Sequence, residues 1–252
     1  MPWLSQLRQH LAACGDQDCI LCGTAADRAG GNVLCSRCDI SLPASTAENC
    51  PQCAISSPRG LPCGDCVADP PAFDDALAAF RYRFPLDQLL LSYKYSANLA
   101  LSAFFARKLV LALRSRGAPL PECIVPMPLS ARRLAERGFN QAALIADGLA
   151  ASFSLPMNRV ALERIRETRP QTTLPWKARR DNVKGAFAAT SALQGKHVAL
   201  VDDVMTTGAT LNEAARALKK QGVARVSAWI VARAEKELAT AGWETETLLP
   251  HV

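Results

Sequence analysis

A chain of 252 residues that is 49% hydrophobic and 21% charged is globular, and long enough for one α/β domain plus a small module. No run approaches the ~18 apolar residues of a membrane span, and Arg8 and His10 interrupt the first residues without a signal-type cleavage site, so a soluble, cytoplasmic protein with no membrane insertion is expected. The net charge of +6 is uneven: residues 1–75 hold four basic and nine acidic side chains (−5), which leaves +11 on residues 76–252 to attract polyanions.

Trp3, Leu4, Leu7 and Leu11 predict a short amphipathic helix within residues 1–18. Eight of the ten cysteines then fall in four CxxC pairs: Cys19/Cys22, Cys35/Cys38, Cys50/Cys53 and Cys63/Cys66. Two thiolates three residues apart on a turn can face one ion, and two such turns complete a tetrahedron. Two Zn²⁺ ions are expected, with iron–sulfur as the rival. Sequential pairing would give a double zinc ribbon over residues 19–70; a crossed arrangement, first pair with third, is the alternative. Cys14 and Cys123 fall outside the pattern as free thiols. Residues 19–66 hold little apolar material, so metal is expected to supply the folding energy, ~10–16 kcal/mol per structural zinc. Eight thiolates and two Zn²⁺ add negative charge to an acidic segment, which suits a structural or protein-contact element better than a DNA-binding surface. Asp69-Pro70-Pro71 reads as a stiff hinge into a second domain, residues 71–252.

That domain opens with a strand over residues 77–84 and a helix with apolar repeats at Leu99, Phe104, Phe105, Leu109 and Leu113. Residues 122–125 form a short strand ending in Pro126-Met127-Pro128, an extended or cis turn. Ser130 opens a basic helix with Arg132, Arg133 and Arg137. A further helix is built on Leu144, Ile145, Leu149 and Phe153. Residues 159–184 carry eight basic residues against three acids, with loop-forming composition from Arg169 to Trp176.

The stretch from Val198 to Leu211 is the most informative. An apolar strand, Val198–Val201, leads into Asp202 and Asp203, where the strand should end. The small and hydroxylated residues Thr206, Thr207, Gly208, Ala209 and Thr210 follow, and then a helix on Leu211, Ala214, Ala215 and Leu218 that Gly222 stops. Strand, turn and helix N-terminus gather unpaired N–H groups and the positive end of the dipole at one point, which suits phosphate. The two acids suit ribose hydroxyls, or Mg²⁺ through water. A last strand is expected over residues 226–231. The whole predicts a parallel sheet of about five strands with helices on both faces and the ligand at the strands' carboxyl ends.

The stretch from Asp202 through Val204, Met205 and TTGAT resembles the phosphoribosyl-pyrophosphate (PRPP) motif of type I phosphoribosyltransferases. The ordered set of paired CxxC motifs, PMPLS, RGFNQA, Q-x-x-L…R-x-x-N-V-x-G-A-F and DDVMTTGAT resembles the ComF/GntX-like family, linked to natural competence and use of external DNA. The resemblance implies that Asp202 and Asp203 hold the ribose hydroxyls and that residues 204–210 cradle the 5′-phosphate. It assigns Pro126, Met127, Pro128 and Arg137 to pyrophosphate, and Gln171 and Arg179 to a lid. It also implies Mg²⁺ with PRPP, and single-stranded DNA, a competence helicase or recombination proteins as partners. The basic 159–184 region is then a lid over pyrophosphate, a nucleic-acid face with Trp176 for stacking, or an exposed basic loop. The implied reaction displaces pyrophosphate from C1 of PRPP by a nucleophile, usually a nitrogen. Thr206 stands where some relatives carry an acid/base aspartate, so no general base is evident.

Overall fold

The computed structural model describes residues 18–26, 33–46, 48–96, 98–167 and 178–235. The expected N-terminal helix, Cys14, Gln171, Trp176 and the side chain of Arg179 lie outside what it describes. In chain order the strands are β1 (Asp75–Arg81), β2 (Cys123–Pro126), β3 (Leu162–Arg164), β4 (Phe187–Ala189), β5 (His197–Met205) and β6 (Arg225–Arg233). The helices are α1 (Ser36–Ile40), α2 (Gly64–Ala68), α3 (Leu86–Tyr95), α4 (Ala100–Arg116), α5 (Ala131–Arg137), α6 (Gln141–Phe153), α7 (Ala178–Val183) and α8 (Ala209–Lys220).

β1, β6, β5 and β2 form, in that order, a parallel sheet whose strands are apolar on both sides, as a sheet covered on two faces requires. Alternate residues separate its faces. Ala199 and Val201 of β5 meet α3, α4 and α6, while Val198 and Leu200 meet α8 and the antiparallel β3–β4 ribbon. The described sheet has four strands where about five were expected. Beyond β2 the chain makes a single parallel bridge, Met157 to Ile124, and stops. Pro156 has no N–H to extend that ladder, and Asn158 turns the chain away by accepting from Val160 N and Ala161 N.

The cysteine segment is welded to the body. β1 is an edge strand, with an outer row of peptide groups that needs partners. Residues 43–51 supply them: Ser45 N donates to Ala79 O at 2.9 Å, Arg81 N to Pro43 O at 2.8 Å, and Ala76 N to Pro51 O at 3.0 Å. The segment also straddles the edge. Val33, Leu34 and Leu42 join the core on the α3–α4 face, whereas Ala54 joins the α8 face.

Close helix packing explains one residue that composition alone would misjudge. Gly148 lies inside α6, where alanine normally favours a helix by about 1 kcal/mol. A Cβ at Gly148 would stand 2.6 Å from the Cβ of Ala106 on α4. Gly148→Ala should therefore destabilise the protein by about 1–3 kcal/mol in urea unfolding, as overpacking does. Adding Ala106→Gly should recover part of the loss.

Candidate functional site

β5 continues past the point where its acids were expected to end it. Asp202, Val204 and Met205 still pair with Ile230, Ala232 and Arg233 of β6, so both carboxylates stand on a rigid ladder. Strand alternation sends them to different sides. Asp202 lines a small hollow with Thr206, Gly208 and Thr210. Asp203 is 8% exposed and sits under Lys94 of α3, whose Nζ is 3.2 Å from its Oδ1. The Asp203 N–H donates to Asp202 Oδ1 at 2.9 Å. Removal from water pushes the Asp202 carboxyl up to about 7, and the charge of Asp203 adds to this. The Asp203 amide, Lys94 and Arg164 pull the other way.

The loop after β5 turns into α8 at Gly208, the N-cap, whose φ of 77° strains any side chain. Asn212 N bonds back to Gly208 O at 2.8 Å and Ala209 N to Thr207 Oγ1 at 3.2 Å, which commits the turn to one shape. Leu211, Ala214, Ala215 and Leu218 bury one stripe of α8 and hold the helix on the sheet. A helix N-terminus beside a carboxylate has the geometry to cradle an anion.

Pro126–Pro128 leave β2 next to β5, with Met127 N on Val201 O at 2.9 Å. The X-Pro bonds of this turn are trans; the one cis bond among the described residues is Phe84–Pro85. Asn140 fixes it: its Nδ2 donates to Met127 O at 3.0 Å while its Oδ1 caps α6 through Ala143 N at 3.2 Å. Ser130 caps α5 through Arg133 N. Arg137, at the far end of α5, lies over the Tyr95 ring at 5.5 Å. The basic groups nearest the acids are ones that sequence reading did not single out for the site. They are Lys94 and Arg164, the latter lowered in pKa mainly by burial and then by Arg133, against the pull of Asp202. Of the other basic residues between 159 and 167, Arg159 pairs with Asp147 and Arg166 binds the carbonyls of Asn182 and Lys184.

Behind the cradle stands Arg233, 5% exposed, whose guanidinium bonds to the carbonyls of Cys53, Met205, Thr206 and Ala234. An arginine at the end of an apolar strand gives no sequence signal of such a role.

The cysteines group sequentially. Cys19, Cys22, Cys35 and Cys38 form one cluster and Cys50, Cys53, Cys63 and Cys66 another, with the sulfurs of each within 4.8 Å of one another. Each takes one pair from a tight turn and the other from the start of α1 or α2. Cys22 and Cys35 sulfurs are 3.7 Å apart, and Cys53 and Cys63 sulfurs 3.6 Å. A zinc–sulfur bond of ~2.3 Å implies a tetrahedral edge of about 3.8 Å, so the clusters have the size and donor set for Zn²⁺. Thr24 hydrogen bonds draw the Cys22 thiol down to about 6, whereas the bond to Cys22 pushes the Cys38 thiol up to about 12. Cys123 is a buried free thiol. Native mass spectrometry should find two zinc ions per chain, and Cys22→Ser or Cys63→Ser should each lose one; loss of both from either change would contradict independent clusters.

The model of the phosphoribosyl transferase domain matches residues 136–248. DNA utilization protein YhgH of Salmonella typhi is 36% identical over 205 residues, 79% of this chain and 90% of that protein. Competence protein F of Haemophilus influenzae is 34% identical over 211 residues, 81% and 91% of the two chains. Among solved structures, the glutamine PRPP amidotransferase of B. subtilis covers 56% of this chain and 30% of its own at 20% identity and a TM-score of 0.38, too distant to bear on function. With a phosphoribosyltransferase-type domain behind two four-cysteine clusters, and this extent of similarity, the chain belongs to the ComF family of competence and DNA-utilization proteins.

Proposed function

We propose that this protein binds PRPP with Mg²⁺ at the carboxyl ends of β5 and β2 and transfers its phosphoribosyl group to an acceptor, within a process that uses DNA. The observation that carries the reading is the Gly208 turn, which presents a helix N-terminus beside Asp202 on a continuous strand. In this reading residues 204–210 hold the 5′-phosphate, and Asp202 accepts from the ribose hydroxyls. The Pro126–Pro128 loop, pinned by Asn140, faces pyrophosphate. Lys94 and Arg164 supply positive charge near the acids. Asp202 and Asp203 would hold Mg²⁺ through water, and the ion would supply charge that neutralises the pyrophosphate leaving group. Catalysis then rests on positioning and electrostatics. Arg137 is set back on Tyr95, and Gln171 and Arg179 remain proposed lid residues. Both cysteine clusters hold structural zinc.

The wider role, and single-stranded DNA or recombination proteins as partners, is supported by the relatives' names. With Arg159 and Arg166 bonded internally and Arg164 placed near the acids, Arg169, Lys177, Arg179, Arg180 and Lys184 are the DNA-binding candidates.

Calorimetric titration of PRPP with Mg²⁺ should show saturable binding that Asp202→Asn with Asp203→Asn abolishes, at unchanged fold and zinc content. A wild type that binds nothing overturns the reading. The pH dependence has a defined sign. The Asp202 carboxyl is raised to about 7, so its ionised form, which accepts from a diol, increases as pH climbs through that value. Affinity should rise between about pH 6 and 8, up to about tenfold per unit for one proton, and Asp202→Asn should flatten this rise.

A further inference from the structure

We infer that Arg233 is a positioning residue that makes the shape of the phosphate loop depend on the second cysteine cluster. The inference rests on the proposed phosphate site for its ligand, but not for its structural part.

The contacts converge on one rigid group. Arg233 Nε donates to the carbonyl of Cys53, a member of the second cluster, at 2.7 Å. Its Nη1 donates to Met205 O at 3.0 Å, to Thr206 O, and to Ala234 O at 2.6 Å. A guanidinium is planar, so the cluster end and the loop end cannot move independently. A trans peptide directs its C=O and the next N–H to opposite sides. Holding the Thr206 carbonyl on Arg233 therefore turns the Thr207 N–H to the other side of the loop. Release of Arg233 frees that peptide to rotate.

The cluster end is where metal enters. The Cys50–Cys53 turn is closed by Ala54 N on Cys50 O and Cys50 N on Ile55 O, both 2.8 Å. Ala54, next to the Arg233-bound carbonyl, holds a left-handed φ of 57°. A side chain crowds the following carbonyl oxygen in that conformation, so the turn needs outside support to persist. Four sulfurs drawn onto one ion provide it, and their negative charge faces the buried guanidinium. The guanidinium bonds to Cys53, Met205, Thr206 and Ala234 at their carbonyl oxygens.

A second link runs parallel. Ala72 N donates to Asn212 Oδ1 of α8 at 2.6 Å. Phe73 is 2% exposed and reaches 4.0 Å from the Cβ position of Gly208, in the core shared with Ala54 and Met205. The first cluster has no equivalent among the described residues. It packs on the opposite face and is tied to α4 by Asp39 and Lys108, 2.7 Å apart.

Hydrogen exchange of the ligand-free protein, followed by titration with PRPP and Mg²⁺, tests this. In Arg233→Met and in Cys63→Ser, amides of residues 206–210 should exchange at least about tenfold faster, while those of 198–201 keep wild-type rates. PRPP affinity should fall by at least about tenfold in each, the size expected for losing hydrogen bonds to a charged group. Combining both changes should add less than about twofold, because they cut one connection. Lys108→Met, which releases the first cluster's tie, should leave both readouts within about twofold. Arg233→Lys keeps the charge without the fork and should behave as Arg233→Met, which covers the case where methionine does not fold. Unchanged loop exchange, additive effects, or an equal effect of Lys108→Met overturns the inference. If wild type binds no PRPP, the ligand reading fails and the exchange data still decide the role of Arg233.

Discussion

The pairing of β5 with β6 is the constraint on which the site depends. The ladder does not stop at the apolar run but continues through Asp202 and Val204 to Met205, opposite Arg233. A carboxylate on a paired strand has little freedom, so the field around the hollow is built in before any ligand arrives. The same register puts a guanidinium directly behind the turn into α8. With a shorter ladder the acids would stand on a loop and Arg233 would have no fixed position.

Much of this was legible in the residues. Apolar β-branched runs marked β5 and β6, helical repeats marked α4 and α8, and four CxxC spacings marked the cysteine clusters. Those signals are local, set by backbone periodicity and donor spacing. What escaped was set by contacts distant in sequence. Nothing in the order of residues tells that Lys94 sits on Asp203, that Arg164 approaches Asp202, or that Arg233 bonds to Cys53, 180 positions away. The end of β5 was misjudged for a related reason: acids read as strand breakers, but a partner strand supplied the missing hydrogen bonds. About five strands were expected; beyond β2 the described chain adds only the single bridge from Met157 to Ile124, next to Pro156.

The cysteine segment also changes character once its surroundings are known. As sequence it was a small acidic appendage behind a Pro-Pro hinge. In the fold it contributes to both hydrophobic layers and completes the peptide bonding of β1. The described part of the cysteine segment and the transferase-type domain share both hydrophobic clusters and the hydrogen bonding of β1.

The covering of β1 by residues 43–51 has a consequence for how the protein would fail. The cysteine clusters that could hold metal form the turns on either side of that cover. Starved of metal, the chain would bare a seven-residue strand edge flanked by apolar residues, the kind of surface on which further copies add. Zinc scarcity would then be felt first as insolubility, with the protein withdrawn into aggregates before its chemistry was tested.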